Sequence, residues 1–219
     1  MAQVVQPQLE ALKADFFNSH PDDPVILHRK EMHNRKGVFR VLEDSSIRVN
    51  FDRELLRLLS EWEYIVVTVC IDKKKHKERY TTWRYDPYHY CMAVLLERYL
   101  LRLERADVVG DVMAESRGGK EDMRLKASFH RLWELGSDFI GPERFQTHLT
   151  SKQLMLRPKI NNIAGLQIAD LLAHTSRKEI LLANSMVEGD LTEFAQEIKS
   201  ILMKKYDRSG NRIFGRKLL

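Results

Sequence analysis

The chain has 219 residues, of which 43% are hydrophobic and 31% are charged, with 10 Gly and 6 Pro. This composition excludes intrinsic disorder and allows one domain with a sizeable core, with or without appendages. The 36 basic residues exceed the 31 acidic ones by a net charge of +5, which favours a polyanionic partner only weakly.

The cysteines and the apolar runs indicate the compartment. Cys70 and Cys91 lie on either side of a basic stretch and lack CxxC spacing, so neither a disulfide framework nor a thiolate zinc site is predicted. No apolar run approaches the roughly 18 residues of a membrane span, and the N-terminus lacks a signal-peptide pattern. We therefore expect a soluble cytoplasmic protein without a membrane partner.

The first half of the chain shows helical patterns and one strand. Apolar residues recur at helical intervals at the start of the chain: Val5, Leu9, Leu12 and Phe16. The breaker "HPDDP" ends this helix. Residues 53–62 predict a second helix, and Tyr64–Ile71 predicts a buried strand. A long helix follows, with Asp86 as its N-cap and Pro87 at its first position.

The second half alternates strands with helices. We predict a strand over Val108–Ala114, a helix over 120–136, a strand over Arg144–Leu156, and helices over 161–187 and 191–206. This alternation is typical of an α/β domain with crossover connections. We expect the strands around Tyr64–Ile71, Val108–Ala114 and Gln146–Leu156 to share one sheet with helices packed on it.

The helix over residues 161–187 carries a carboxylate, Asp170, within the run "LQIADLLAH". A helical projection places apolar residues on the side that must face the sheet and polar residues opposite, the latter being Gln167, Asp170, His174 and Arg177. A solvated helix face would explain an isolated Asp. However, Ile163 and Leu166 border the polar side, and Asp is a mediocre helix former. Both a functional and a solvated Asp170 stay open.

A second carboxylate, Glu115, follows the predicted strand Val108–Ala114. Ligand sites in α/β sheets lie at this end of the strands, and Gly118 and Gly119 would let a substrate approach the backbone closely. An ordinary strand end with a solvated Glu115 is the alternative. Asp122 follows where the next helix begins, and there an acidic residue favours the positive helix N-terminus.

Three stretches carry a resemblance to a known family: "VVGDVMAESRGGKED", "FHRLWELGSDFI" and "NNIAGLQIADLLAH". In this order they resemble the bacterial and phage-borne domain of unknown function 3800, a ribonuclease H-like group. "VILHRKEM", "VTVCIDKKK" and "GNRIFGRKLL" fall at matching places, so the resemblance covers most of residues 25–217. It implies one ribonuclease H-like domain over 1–219, a mixed α/β sheet flanked by helices. Residues 1–62 would be its helical N-terminal portion, and 188–219 a helical C-terminal extension and tail.

The resemblance also implies a function. It is that of a metal-dependent nuclease or related phosphoryl-transfer enzyme acting on DNA or RNA, with Mg²⁺ or Mn²⁺ as cofactor. The family's Gln-x-x-Asp matches Gln167 and Asp170, and its strand-end glutamate matches Glu115. Glu115 and Asp170 would then be the catalytic metal ligands, with their carboxyl oxygens roughly 4 to 7 Å apart so that a cation can be shared. The supporting residues would be Gln167, Asp122, His28 and Glu31.

One family feature is missing from this sequence. Family members begin with a strand that carries Asp-Glu-Ser, whereas the nearest stretch here, Glu43–Ser46, follows the His28 region. We infer an N-terminally incomplete fold that lacks about two strands, with an unpaired sheet edge open to dimerisation. The alternative function is therefore a catalytically inactive nucleic-acid or protein binding module that has lost its first catalytic carboxylate.

Two basic stretches with interleaved aromatic residues, 71–80 and 204–217, suit phosphate backbones, although solvated loops have the same composition. The predicted nucleic-acid binding residues are Lys73, Lys74, Lys75, Lys77, Arg117 and Lys120. The histidines form no helical pair of the HExxH type, so we predict no zinc site.

Overall fold

The structure is a computed structural model that describes residues 2–79 and 86–219, except the side chains of Ala2, Lys77 and Arg79. Most of the described residues are helical, and short strands pair into small sheets, so the predicted mixed α/β class is confirmed. Its α-helices are α1 (Ala2–Phe17), α2 (Arg29–His33), α3 (Ser45–Glu61), α4 (Lys73–Arg79), α5 (Pro87–Ala106), α6 (Gly119–Leu135), α7 (Pro142–His148), α8 (Ala164–Ala183) and α9 (Glu193–Lys205).

The strands are two or three residues long: β1 (Thr68–Cys70), β2 (Met113–Glu115), β3 (Met155–Arg157), β4 (Arg208–Ser209), β5 (Arg212–Ile213) and β6 (Arg216–Leu218). β1 pairs with β6 and β2 with β3, both in parallel, while β4 and β5 form an antiparallel hairpin. The prediction that the three central segments share one sheet is wrong for the described residues. β2 and β3 do pair, but the C-terminal strand β6 is the partner of β1.

Two predicted strands are also shorter than expected. Residues 142–148 form α7 instead of a strand, because Pro142 suits the first turn of a helix and Phe145 is buried from the helical position. In the segment before β2, Val108 and Val109 are exposed, and only Gly110 forms a bridge, to Leu149. In the range predicted as a helical C-terminal extension and tail, 188–219, α9 comes first and β4, β5 and β6 follow it.

Two helix starts show how the sequence sets the elements. The side chain of Asp86 accepts the Tyr88 N–H at 2.8 Å and Pro87 is the first residue of α5, as predicted. α3 begins earlier than the predicted second helix because Asp44 caps it, accepting the N–H groups of Ser46 and Ile47. The stretch Glu43–Ser46 is therefore a helix start.

The chain divides into two compact units where the sequence analysis expects one domain. Unit 1 comprises Met1–Val66 and Lys159–Asp207, and unit 2 comprises Val67–Pro158 and Arg208–Leu219. In unit 1, α1 packs on α3 and α8, and α9 packs on α3 and α8. Phe17 lies in its core, edge-on to Phe39 and Phe51 with ring centroids 5.0 and 5.1 Å away.

The core of unit 2 forms where α5 packs against α6 and α7. Its buried residues come mainly from one face of α5 and one face of α6: Met92, Leu96, Leu100, Leu103, Phe129, Leu132 and Trp133. Hydrophobic residues next to β2 and β3 complete this core. No helix in the described part of the chain has an apolar stretch long enough to cross a membrane.

Candidate functional site

The Gln-x-x-Asp of α8 holds an extended segment of unit 1 in place. The Leu27 N–H donates to Gln167 Oε1 at 2.8 Å, and the Arg29 N–H donates to Asp170 Oδ2 at 2.9 Å. These two amides flank His28, whose backbone is extended with φ −130° and ψ 115°. Gln167 and Asp170 lie three residues apart and hence on one helix face. Together they fix the position from which the His28 side chain extends.

The imidazole of His28 lies between two carboxylates. Its Nδ1 is 3.3 Å from Glu31 Oε1, and its Nε2 is 4.0 Å from Asp170 Oδ2. Nδ1 is buried without a hydrogen bond to any described residue, because the approach of Glu31 lacks hydrogen-bond geometry. The side chains of His28 and Asp170 are 26% and 33% exposed, so a solute can reach both. A carboxylate beside an imidazole is an arrangement that general acid–base catalysis uses.

Gln167 is itself held from behind by a buried polar network. Its Nε2 donates to Asn162 Oδ1 at 2.9 Å, and the same oxygen accepts Lys13 Nζ at 2.7 Å. Lys13 is fully buried and pairs with Glu10 at 2.8 Å. Gln167 is therefore a positioning residue: it connects the network under α8 to the backbone beside His28.

Basic side chains lie near Asp170 and His174. Burial lowers the pKa of the Arg29 guanidinium, and the Asp170 carboxylate opposes that shift. Burial also lowers the pKa of the His174 imidazole, and the charges of Arg29, Arg177 and Lys178 lower it further. The positive charges of Arg29, Arg177 and Lys178 would attract an anion near His174.

In unit 2, Glu115 is the last residue of β2 and lies in register with Arg157 of β3. Asp122 stabilises the loop that follows: its carboxylate accepts Ser116 Oγ at 2.5 Å and the Arg117 N–H at 2.7 Å. The hydroxyl of Ser116 and, after it, the Arg117 amide lower the pKa of Asp122. Asp122 thus organises the loop next to Glu115.

The two predicted metal ligands fall in different units, Glu115 in unit 2 and Asp170 in unit 1. Their approach to within roughly 4 to 7 Å stays a prediction. Among the described residues there is no group of three or more His, Cys, Asp or Glu that could hold a metal ion. The residues gathered around Asp170 therefore do not fit Mg²⁺ or Mn²⁺ by themselves, although His28, Glu31, Gln167 and Asp170 do lie together.

The predicted nucleic-acid binding lysines lie on a helix. Lys73, Lys74 and Lys75 are exposed on α4, and Asp72 accepts the N–H groups of the second and third of them. The side chain of Lys77 lies outside the described residues. Arg117 and Lys120 are exposed on either side of Gly118 and Gly119. In the second basic stretch, the Arg212 guanidinium lies 5.0 Å from the centre of the Phe214 ring.

Sequence reasoning missed a cavity in unit 1 of about 520 Å³, which α2, α3, α8 and α9 enclose. Arg29 lines this cavity, and the backbone N–H of Arg29 donates to Asp170. The lining residues are dispersed between positions 29 and 198, so no local motif indicates the cavity. The cavity and the His28 site are neighbours through Arg29.

Searches against protein-family models, curated proteins and solved structures find no match to this chain.

Proposed function

We propose that this chain cleaves phosphodiester bonds in nucleic acid at the site around His28 and Asp170, by hydrolysis or by a related phosphoryl transfer. The supporting observation is an accessible imidazole between the carboxylates of Glu31 and Asp170. Phosphoryl transfer needs a group that moves a proton and positive charge near the phosphate oxygens. His28 would supply the first and Arg29 the second.

The hydrogen bonds of the site give each residue a separate role. Asp170 Oδ2 accepts the Arg29 N–H and lies 4.0 Å from His28 Nε2, so the carboxylate has a fixed position from which to stabilise the protonated imidazole. Because Nδ1 is buried, Nε2 of the imidazole would take the proton of the attacking water as the new bond to phosphorus forms. The imidazolium would then give that proton to the leaving oxygen as the ester bond breaks. Gln167 accepts the Leu27 N–H and thereby holds the backbone next to His28 against α8.

A ribonuclease H-like fold with Mg²⁺ or Mn²⁺ held by Glu115 and Asp170 is the more specific form of this proposal. Such ions supply charge neutralisation and an activated water when they are bound. The separate two-stranded sheets weigh against the predicted architecture, and the described residues of the site do not form a metal group. We therefore derive no catalytic step through a metal.

Cleavage of end-labelled DNA and RNA oligonucleotides, measured with Mg²⁺, with Mn²⁺ and with a chelator, tests the proposal. We expect His28→Gln and Asp170→Asn to lower the rate by about 100-fold or more, the usual contribution of positioned acid–base groups. Asn keeps an oxygen that can accept the Arg29 N–H, so Asp170→Asn retains the local structure. Asp22→Asn is the matched control, because Asp22 is exposed in the same unit.

The outcomes separate the forms of the proposal. A metal requirement, a Mn²⁺-induced rise in Tm and the loss of both in Asp170→Asn and Glu115→Gln would support the two-carboxylate metal site. Metal-independent cleavage that needs His28 but tolerates Glu115→Gln would assign the chemistry to unit 1 alone. Folded His28 and Asp170 variants with unchanged cleavage would overturn the proposal.

A second candidate is a non-catalytic module that binds nucleic acid or protein. The absence of a three-residue metal group among the described residues favours it. It predicts binding of oligonucleotides without cleavage under any metal condition, and unchanged affinity in Asp170→Asn.

A further inference from the structure

The cavity of unit 1 carries an excess of positive charge. Its basic lining residues come from α2, α3, α8 and the loop after α2: Arg29, His33, Arg35, Arg48, His174 and Lys178. None of the six forms a salt bridge with a described residue. Four of them carry a full positive charge, whereas the cavity lining contains one carboxyl, that of Asp52. Lys178 Nζ donates to the Asp190 carbonyl at 2.5 Å, a neutral partner that leaves the ammonium charge in place. The excess of basic over acidic lining residues favours an anion in the cavity.

The rest of the cavity is apolar. Its lining includes buried aliphatic and aromatic side chains: Phe51, Leu55, Leu59, Leu171 and Ile198. Met32 and Phe194 are half-buried lining residues. A volume of about 520 Å³ lies within the range of small-molecule sites, roughly 300 to 1,000 Å³. The complementary ligand therefore combines a flat or compact apolar body with an anionic group.

Asp52 adds a polar contact inside the cavity. Its carboxyl is half-buried and makes no hydrogen bond with a described residue. Its nearest charged partner is Arg48, one turn before it on α3. A carboxyl without a hydrogen-bond partner can accept a hydrogen bond from the edge of a heteroaromatic ring, or donate one to it when protonated. Aspartates recognise the exocyclic amines of nucleobases in this way.

We propose that this cavity binds a nucleotide through its base and a terminal phosphate. The base would lie against the half-buried Met32 and Phe194 with its edge at Asp52, and the phosphate would lie among Arg29, Arg48 and Lys178. A phosphate monoester suits several cations better than a carboxylate does, because it carries more charge and more acceptor oxygens. The identity of this ligand rests on the proposed function. It makes that proposal more specific, because a free nucleotide or a strand end would then lie next to His28.

Titration calorimetry on the whole chain tests the cavity without any assay of cleavage. We expect adenosine monophosphate to bind, and adenosine to bind about tenfold or more weakly because it lacks the charged group. The double variant Arg48→Gln, Lys178→Gln should lose about tenfold or more in affinity for the monophosphate. Lys199→Gln is the matched control, since Lys199 is exposed on α9 away from the cavity, and should bind as the unmodified chain does.

A cavity-filling pair checks the location. Ala195 lines the cavity on α9, so Ala195→Phe should abolish binding of both ligands, whereas Ala173→Phe on the exposed face of α8 should not. Binding of decanoate in preference to adenosine monophosphate would overturn the nucleotide assignment. Retained nucleotide binding in folded Ala195→Phe would overturn the site.

Oligonucleotides with and without a 5′-phosphate distinguish the two sources of the ligand. Tighter binding of the phosphorylated strand identifies a strand end, and equal binding of both strands, weaker than that of the monophosphate, identifies a free nucleotide. Asp170→Asn should still bind adenosine monophosphate, so loss of cleavage in that variant leaves this inference standing. If no nucleotide binds while cleavage depends on His28, the inference fails and the proposed function survives.

Discussion

Asn162 shows how one residue can decide the geometry of the site. Its backbone has φ +54°, a left-handed conformation that Asn tolerates better than most residues. Its side-chain oxygen accepts from both Lys13 and Gln167, and its Nδ2 donates to Glu10 at 3.0 Å. Burial lowers the pKa of Lys13, and Glu10 opposes this shift. This satisfied network lets a lysine and an amide lie in the core beneath α8.

Asp52→Asn is expected to stabilise the protein at pH 8 and to have little effect near pH 4. Burial raises the pKa of the Asp52 carboxyl from its ordinary value of 3.8 to about 6, with Arg48 opposing the shift. The folded chain thus holds the proton more tightly. The protonated Asp52 carboxyl therefore contributes to the free energy of unfolding. This contribution is fully present below the pKa that Asp52 has in the unfolded chain, and it is lost as the pH rises through its pKa in the folded chain.

Because the carboxyl is only half-buried, we expect a gain of about 1 kcal/mol at pH 8, well below the value that the full shift would imply. Urea unfolding of the variant and of the unmodified chain at both pH values measures it. Asp15→Asn, at an exposed position of α1, is the matched control for the loss of a surface carboxylate. Equal stabilities of Asp52→Asn and the unmodified chain at pH 8 would contradict the burial argument.

At the scale of elements, the sequence predicted helices better than strands. Helix starts depend on local chemistry, as at Asp86 and Pro87, and are readable from adjacent residues. Strand pairing depends on distant partners. The β-branched run over Tyr64–Ile71 predicted one strand, yet Val66 bridges Tyr206 in unit 1 while Thr68–Cys70 pairs with β6 in unit 2. No local pattern could predict that division.

The candidate site shows the same contrast. The motif resemblance selected Gln167, Asp170, His28 and Glu31, and the structure brings these four together. The resemblance could not show that Gln167 accepts a backbone N–H, because the donor, Leu27, lies 140 positions away in the sequence. The basic cavity was unpredictable because Arg48 and Lys178 belong to helices that are distant in sequence.

Gly136→Ala is expected to destabilise the protein by about 2 kcal/mol or more, because the glycine ends α6 in a conformation that L-residues rarely adopt. Its φ is +75°, and an added Cβ would lie 2.4 Å from the carbonyl oxygen of Ile140. Thermal unfolding measures the loss as a lowered Tm. The contrasting variant is Gly165→Ala in the first turn of α8, where an added Cβ meets nothing within 4 Å.

Gly165→Ala should raise stability by about 0.5 kcal/mol, since alanine loses less backbone entropy in a helix. Opposite signs for the two variants would confirm that the conformation, and not the loss of a glycine, decides the effect. A neutral Gly136→Ala would mean that the turn between Gly136 and Ile140 adjusts without cost.

The basic residues behind the net charge of +5 form two different arrangements, a cavity lining and an exposed helix surface. In unit 1, basic side chains line a concave cavity and suit one small anion. In unit 2, Lys73, Lys74 and Lys75 are exposed on the convex surface of a helix and suit a phosphate backbone. Binding of a phosphate backbone involves several phosphate contacts and weakens steeply with salt, whereas binding of one small anion involves few charges and depends on salt less. Salt dependence therefore distinguishes the two sites.

Replacing Lys73, Lys74 and Lys75 with Gln should weaken oligonucleotide binding and flatten its dependence on salt. Each phosphate contact contributes roughly 0.7 to the slope of log K against log salt for a single strand, so the slope should fall in magnitude by about 2. Fluorescence anisotropy with a labelled oligonucleotide, between about 50 and 200 mM salt, measures this. Gln is a good helix former, so α4 should persist.

The control removes the same charge elsewhere, by replacing Arg53, Lys199 and Lys204 of unit 1 with Gln, all three being exposed. If α4 contacts phosphates directly, this control should keep the slope, because charges that make no phosphate contact act only through a screened field. Equal losses of slope in both triple variants would mean that net charge alone drives binding and that α4 is no binding site. Negligible binding by the unmodified chain at both salt concentrations would remove nucleic acid from the partners of this protein.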